Sequence, residues 1–198
     1  MEQTIQSNRR SLSLASASSA LLVAAVLLIG IVGLATQASS LRPWLAVLFG
    51  VDSGWDVVSF DSLHAVSAID IAVLALAGVA FLGFWPGPGR PHRLFMGLAV
   101  LLPLAGIAVL IATGLWGRSG LMGGGLVLSA LLLGHPRFRP LGLLGLAANL
   151  LLLVGDFATR DARALLVAGL VGVGYVLLIA WFVWIAAKLL TGWRHGHT

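Results

Sequence analysis

The sequence predicts an all-α integral membrane protein, with six transmembrane helices in one bundle, both termini cytoplasmic, and an outer interfacial segment between helices one and two. Three observations predict it. Of the 198 residues, 59% are hydrophobic and only 10% are charged, against about 25% charged in soluble domains, and the mean hydropathy is +1.02. Six apolar segments approach the roughly 20 residues that an α-helix, rising about 1.5 Å per residue, needs to cross a hydrocarbon core about 30 Å thick. The basic residues gather in short clusters beside those segments.

The spacing places the spans at 16–36, 62–84, 93–117, 119–134, 139–156 and 164–190. Residues 16–190 are thus expected to form a single six-helix domain, with 1–15 and 191–198 as cytoplasmic tails. The first span follows Arg9 and Arg10, and Thr36 and Ala38 beyond it resemble the small residues before a cleavage site. Its apolar run from Ala20 to Thr36 exceeds the roughly 7–15 residues of a secretory signal, so it is expected to remain as a span. Between the first and second spans, "LRPWLAVLFG" (Leu41–Gly50) is apolar but too short to cross, which suits an interfacial or capping segment. Asp61 stands just before the second span, which carries His64, Ser67 and Asp70 in its outer half. "WPGPGRPHR" (Trp85–Arg93) and "GHPRFRP" (Gly134–Pro140) read as inner turns, since Pro ends helices and Arg stays among headgroups. Pro103 should kink the third span. The fourth is short and glycine-rich; the fifth carries Asn149 and Asp156 on one face, and the sixth carries Tyr175.

Charge sets the orientation. With the N-terminus inside, Arg9, Arg10, Arg90, Arg93, Arg137, Arg139, Lys188 and Arg194 are cytoplasmic, while Arg42, Arg118, Arg160 and Arg163 are outside. Eight against four is the positive-inside bias. The acids Asp52, Asp56, Asp61, Asp156 and Asp161 fall outside. The arginine, alanine, glycine and leucine usage matches a GC-rich bacterial genome, which suggests a bacterial inner membrane.

Several function classes drop out. There is no cysteine, hence no disulfide, thiolate metal site or cysteine nucleophile. The net charge of +5 belongs to topology, because no basic stripe with interleaved aromatics is present to meet nucleic acid. No phosphate-binding loop, zinc-protease motif or internal repeat is present. His92 and His135 share the inner side, and two histidines at one depth on facing helices can ligate haem. Each, however, sits in a Pro/Arg-rich turn where a basic interfacial residue is expected, so no cofactor or metal is expected. His195 and His197, in the tail "GWRHGHT", form too short a fragment to specify a metal site.

Asp70 is the residue that needs a reason. It lies about eight residues, or roughly 12 Å, below the outer end of its span, where an acidic group defaults to a functional role or else holds two helices together as a hydrogen-bonding carboxyl. His64 lies about 60° from Ser67 and about 120° from Asp70 around the axis, a broad polar sector near the surface. Asn149, near mid-membrane, suits interhelical bonding worth about 1 kcal/mol, with Asp70 as its expected partner. Arg118 and Asp156 sit at the outer rim as a loose ion pair or as solvated charges. If spans two, four and five are neighbours, Asp61, His64, Ser67, Asp70, Arg118, Asn149 and Asp156 line one outward-opening pocket.

Two resemblances follow from short motifs. Gly117, Ser119 and Gly120 form GxSG within "GLWGRSGLMGGGLVLS" (Gly114–Ser129), which resembles the nucleophile motif of rhomboid intramembrane proteases. That resemblance implies a histidine base on the sixth helix, and the sixth span here has none. Gly120 and Gly124 read instead as a small-xxx-small surface for close helix packing. At "LHAVSAIDI", "GRSGLMGGGLVLS" and "GLAANLLLLVGDF" the chain resembles small uncharacterised bacterial multi-pass membrane proteins. This resemblance implies an integral membrane protein and transfers no catalytic residue.

The expectation is therefore a polytopic membrane protein in the lipid bilayer, without catalysis of its own, binding a small molecule, lipid or membrane-protein partner at the pocket around Asp70. The alternatives are an intramembrane enzyme using Asp70 and His64, or a proton-coupled transporter, which would lack both a second deep charge and a repeat.

Overall fold

A computed structural model describes residues 2–35, 60–84, 90–113, 117–158 and 164–191. All the regular structure among them is helical: α1 (Glu2–Ala35), α2 (Phe60–Leu82), α3 (Arg90–Thr113), α4 (Gly117–Leu133), α5 (Arg139–Ala158) and α6 (Ala164–Thr191). Each of the six expected spans corresponds to one helix. The interfacial segment expected at Leu41–Gly50 lies outside the described residues, as does the tail beyond Thr191.

Three helices contain stretches long and apolar enough to cross a membrane, Ser11–Ile29, His92–Ala112 and Leu170–Thr191. Ile69–Leu82, Ser119–Leu133 and Arg139–Val154 are shorter apolar helical stretches. The main difference from expectation is at the start, where α1 begins at Glu2 and residues expected to form a tail continue the helix. No Pro or Gly interrupts them, so nothing stops the helix from propagating outward from its apolar half.

Each helix packs against the next, and α6 returns to α1; a smaller contact joins α2 to α4. Two serines fasten the closure. Ser13 Oγ donates to Leu189 O at 2.9 Å, tying α1 to α6, and Ser16 Oγ donates to Val79 O at 2.8 Å, tying α1 to α2. Both target carbonyls lie near helix C-termini, and Leu189 O is one of the end carbonyls that has no partner within its own helix.

The α3–α4 crossing is built on absent side chains. A Cβ on Gly120 would lie 2.5 Å from Leu102 O and 2.8 Å from Gly106 Cα. On Gly124 it would lie 2.6 Å from Ala99 O and 2.7 Å from Pro103 Cδ. Pro103 has no N–H to give the carbonyl four residues back, and that carbonyl, Ala99 O, is the one Gly124 approaches. The small-residue face expected at Gly120 and Gly124 thus seats the proline-bearing stretch of α3, with Cα–H groups facing carbonyl oxygens.

Candidate functional site

Asp70 lies on α2, four, seven and eleven residues before Leu74, Ala77 and Phe81, a spacing that keeps one helix face. Those three are buried, and Asp70 itself is half-buried. Below it, Phe81 meets α6 in an aromatic cluster. Its ring centre is 5.8 Å from Trp181, edge-on at 60°, and 6.2 Å from Phe182, near-parallel at 3°, while Trp181 and Phe182 are 5.3 Å apart. All three side chains are fully buried. Phe81 is eleven residues, about 16 Å along the axis, from Asp70, so the carboxyl lies well away from the buried aromatic cluster.

α2 touches α4, and α4 packs against α5, but the principal packing of α5 is with α4 and α6. Asp61, His64 and Ser67 belong to the first turns of α2, Arg118 to the first turn of α4 and Asp156 to the last turns of α5; their side chains lie outside the described residues. Ser119 is half-buried near the start of α4, and Tyr175 is buried in α6.

Asn149 is fully buried, and its surroundings differ from the expected pairing with Asp70. Its Nδ2 donates to Gly145 O at 2.7 Å, within α5, and its amide lies against Gly125 of α4. Ser129, also fully buried, mirrors this arrangement. Its Oγ donates to Gly125 O at 2.6 Å, within α4, and lies against Gly145 of α5. The sequences "GLVLS" (Gly125–Ser129) and "GLAAN" (Gly145–Asn149) are therefore two copies of one device. In each, a polar side chain turns back onto the carbonyl of a glycine four residues earlier, and the other helix's polar group occupies the space that glycine leaves. The pairs Gly125–Asn149 and Ser129–Gly145 run in the antiparallel register of the α4–α5 hairpin. Sequence reading placed Asn149 near the middle of the bilayer but missed Ser129, and the shared Gly-x-x-x-polar spacing was the available signal.

Trp181 completes this joint, its indole lying against Gly145 beside Ser129. Among the described residues, Asn149 Oδ1 and Trp181 Nε1 are buried without a hydrogen-bond partner. One is an acceptor and the other a donor. No group of three or more histidine or acidic residues able to hold a metal is present among the described residues. No family model matches the chain, and no curated protein or solved structure matches it either.

Proposed function

We propose that the chain is a six-span protein of a bacterial inner membrane, with both termini cytoplasmic, that binds a small molecule, a lipid or a partner protein through an outward-facing polar site centred on Asp70. The observation that carries this reading is the position of Asp70. It continues the buried stripe of Leu74, Ala77 and Phe81 while remaining half-buried itself, above the Phe81–Trp181–Phe182 cluster. A carboxyl there is costly enough to need a polar partner or water, and the aromatic level beneath it favours access from the outer side. Three helices apolar and long enough to span support membrane residence, and the closed packing order of the helices supports all six crossing together. The polar groups of the outer turns, His64, Ser67, Arg118 and Asp156, would border the site, while Asn149 belongs to the packed α4–α5 joint.

Native mass spectrometry of protein released from mild detergent tests the proposal. Wild-type protein should carry a bound species that Asp70→Asn and Asp70→Ala both lose. If both variants retain that species, and Asp70→Ala changes only the unfolding temperature, Asp70 is a packing residue and the site does not exist.

A further inference from the structure

We propose that His92 and His135 form a two-imidazole site for a divalent first-row transition-metal ion, such as zinc, nickel or copper, where the start of α3 meets the α4–α5 turn. Far apart in sequence, the two rings are 6.0 Å apart, centre to centre, at an interplanar angle of 69°. With metal–nitrogen bonds of about 2.0–2.1 Å, a ring centre lies about 3.2 Å from the ion, so two rings on one ion have centres within about 6.4 Å. The observed separation fits that limit.

Each ring is held so that one nitrogen remains a lone-pair donor. His92 Nε2 faces Phe84 O at 3.4 Å, and His135 Nδ1 faces Leu131 O at 3.3 Å. A carbonyl oxygen only accepts, so in the neutral ring that bonds it these nitrogens carry the proton, and His92 Nδ1 and His135 Nε2 then offer their lone pairs. Metal-ligating histidines are oriented in this way, the far N–H given to a backbone carbonyl. A phosphate or carboxylate would instead require N–H groups, so this arrangement favours a cation. The scaffold is local and firm: Phe84 and Phe138 pack edge-on at 6.2 Å, Phe138 N donates to His135 O at 2.9 Å, and His135 N donates to Leu132 O at 3.1 Å. His92 is half-buried and His135 exposed, so an ion can reach both. The C-terminal carbonyls of α4 add negative potential beside His135.

The chemistry of the donors sets the selectivity. Among the described residues, the charged ones nearest the two histidines in sequence are Arg93, Arg137 and Arg139, all exposed, so an ion is held through nitrogen lone pairs and not by charge. That suits borderline metals and rejects magnesium and calcium, which need oxygen ligands. With two protein ligands, water fills the remaining positions.

Full-length protein, purified in neutral detergent through a tag without histidines, can be titrated calorimetrically with zinc and nickel. One ion per chain should bind, and magnesium and calcium should not. His92→Ala and His135→Ala should each weaken zinc binding at least about tenfold, His135→Cys should retain it, and a His195→Ala/His197→Ala variant should bind as wild type. Gel filtration establishes that each variant is folded. Absence of saturable zinc or nickel binding, wild-type affinity in either alanine variant, or binding that disappears with the two tail histidines would each overturn the proposal.

Discussion

Gly145 is the residue on which three helices agree. A Cβ there would collide with Ser129 Oγ of α4 and the indole of Trp181 of α6, and both neighbours are fully buried with no room to withdraw. Overfilling a packed site typically costs 1–3 kcal/mol, so Gly145→Ala should destabilise the protein by about 2 kcal/mol. Gly172, also in a helix, is the matched control. It is exposed with nothing within 4 Å, so Gly172→Ala should have no steric cost and should gain up to about 1 kcal/mol from helix propensity. Ser129→Ala falls between them. It removes one bond within α4, from Oγ to Gly125 O, a back-bond onto its own helix that contributes little to stability. Reversible unfolding in mixed micelles should rank the three with opposite signs at the extremes; if Ser129→Ala cost more than Gly145→Ala, polar bonding and not glycine space would be holding the joint.

At the scale of helices, most of what was legible in the sequence came from apolar length. Hydrocarbon thickness fixes how long an apolar run must be, and the observed ends of α2 to α6 fall close to the expected ones. The early start of α1 was not legible because the residues from Glu2 to Ala15 are compatible with either helix or tail. Pairings were harder still. That Gly120 and Gly124 form a packing face could be read from spacing, but not that α3 supplies Ala99, Leu102 and Pro103 to meet it. Likewise, depth placed Asn149 near Asp70, whereas Asn149 lies at the antiparallel α4–α5 register. The approach of α1 to α2 was also invisible, and it is directly testable because the chain has no cysteine to cross-link in the background. A Cβ on Gly83 would lie 2.8 Å from Ser16 Cβ, slightly inside the roughly 3.5–4.5 Å of a disulfide. Ser16→Cys with Gly83→Cys should therefore cross-link under mild oxidation after a small parting of the helices, seen as a mobility shift that reductant reverses. If only intermolecular dimers formed, α1 would not pack on α2 within one chain.

For the whole molecule, the outer surface determines where the chain can live, and its ends reveal how it lies there. Leu22, Ile29, Leu101, Ile111 and Val176 are all more than half exposed on α1, α3 and α6, the three helices that contain clear spanning stretches. So many exposed large apolar side chains are tolerated in lipid and not in water, so the protein should remain with membranes through an alkaline carbonate wash. How many helices cross is a question of parity. If α1, α3 and α6 alone spanned, an odd number of crossings would put the two ends of the chain on opposite sides; six crossings put them on the same side. α2 has 23 residues, α5 has 20 and α4 has 17, or about 34, 30 and 25 Å. As whole helices the first two match the hydrocarbon thickness and α4 reaches the lower limit of about 17 residues, while their apolar stretches, Ile69–Leu82, Arg139–Val154 and Ser119–Leu133, are shorter. α4 is also packed along its length between α3 and α5 through Gly120, Gly124 and Gly125, so an α4 lying outside the bilayer would have to abandon those close approaches. With six crossings, the arginines of the α4–α5 turn, Arg137 and Arg139, and of the α2–α3 connection, Arg90 and Arg93, would hold both turns on the cytoplasmic side. Paired reporters distinguish the cases: fusions after Arg137 and after Thr198 should both read cytoplasmic, and one after Asp161 should read external. A fusion after Thr198 that read external would mean an odd number of crossings, and the outward-facing site at Asp70 would fall with the six-span topology.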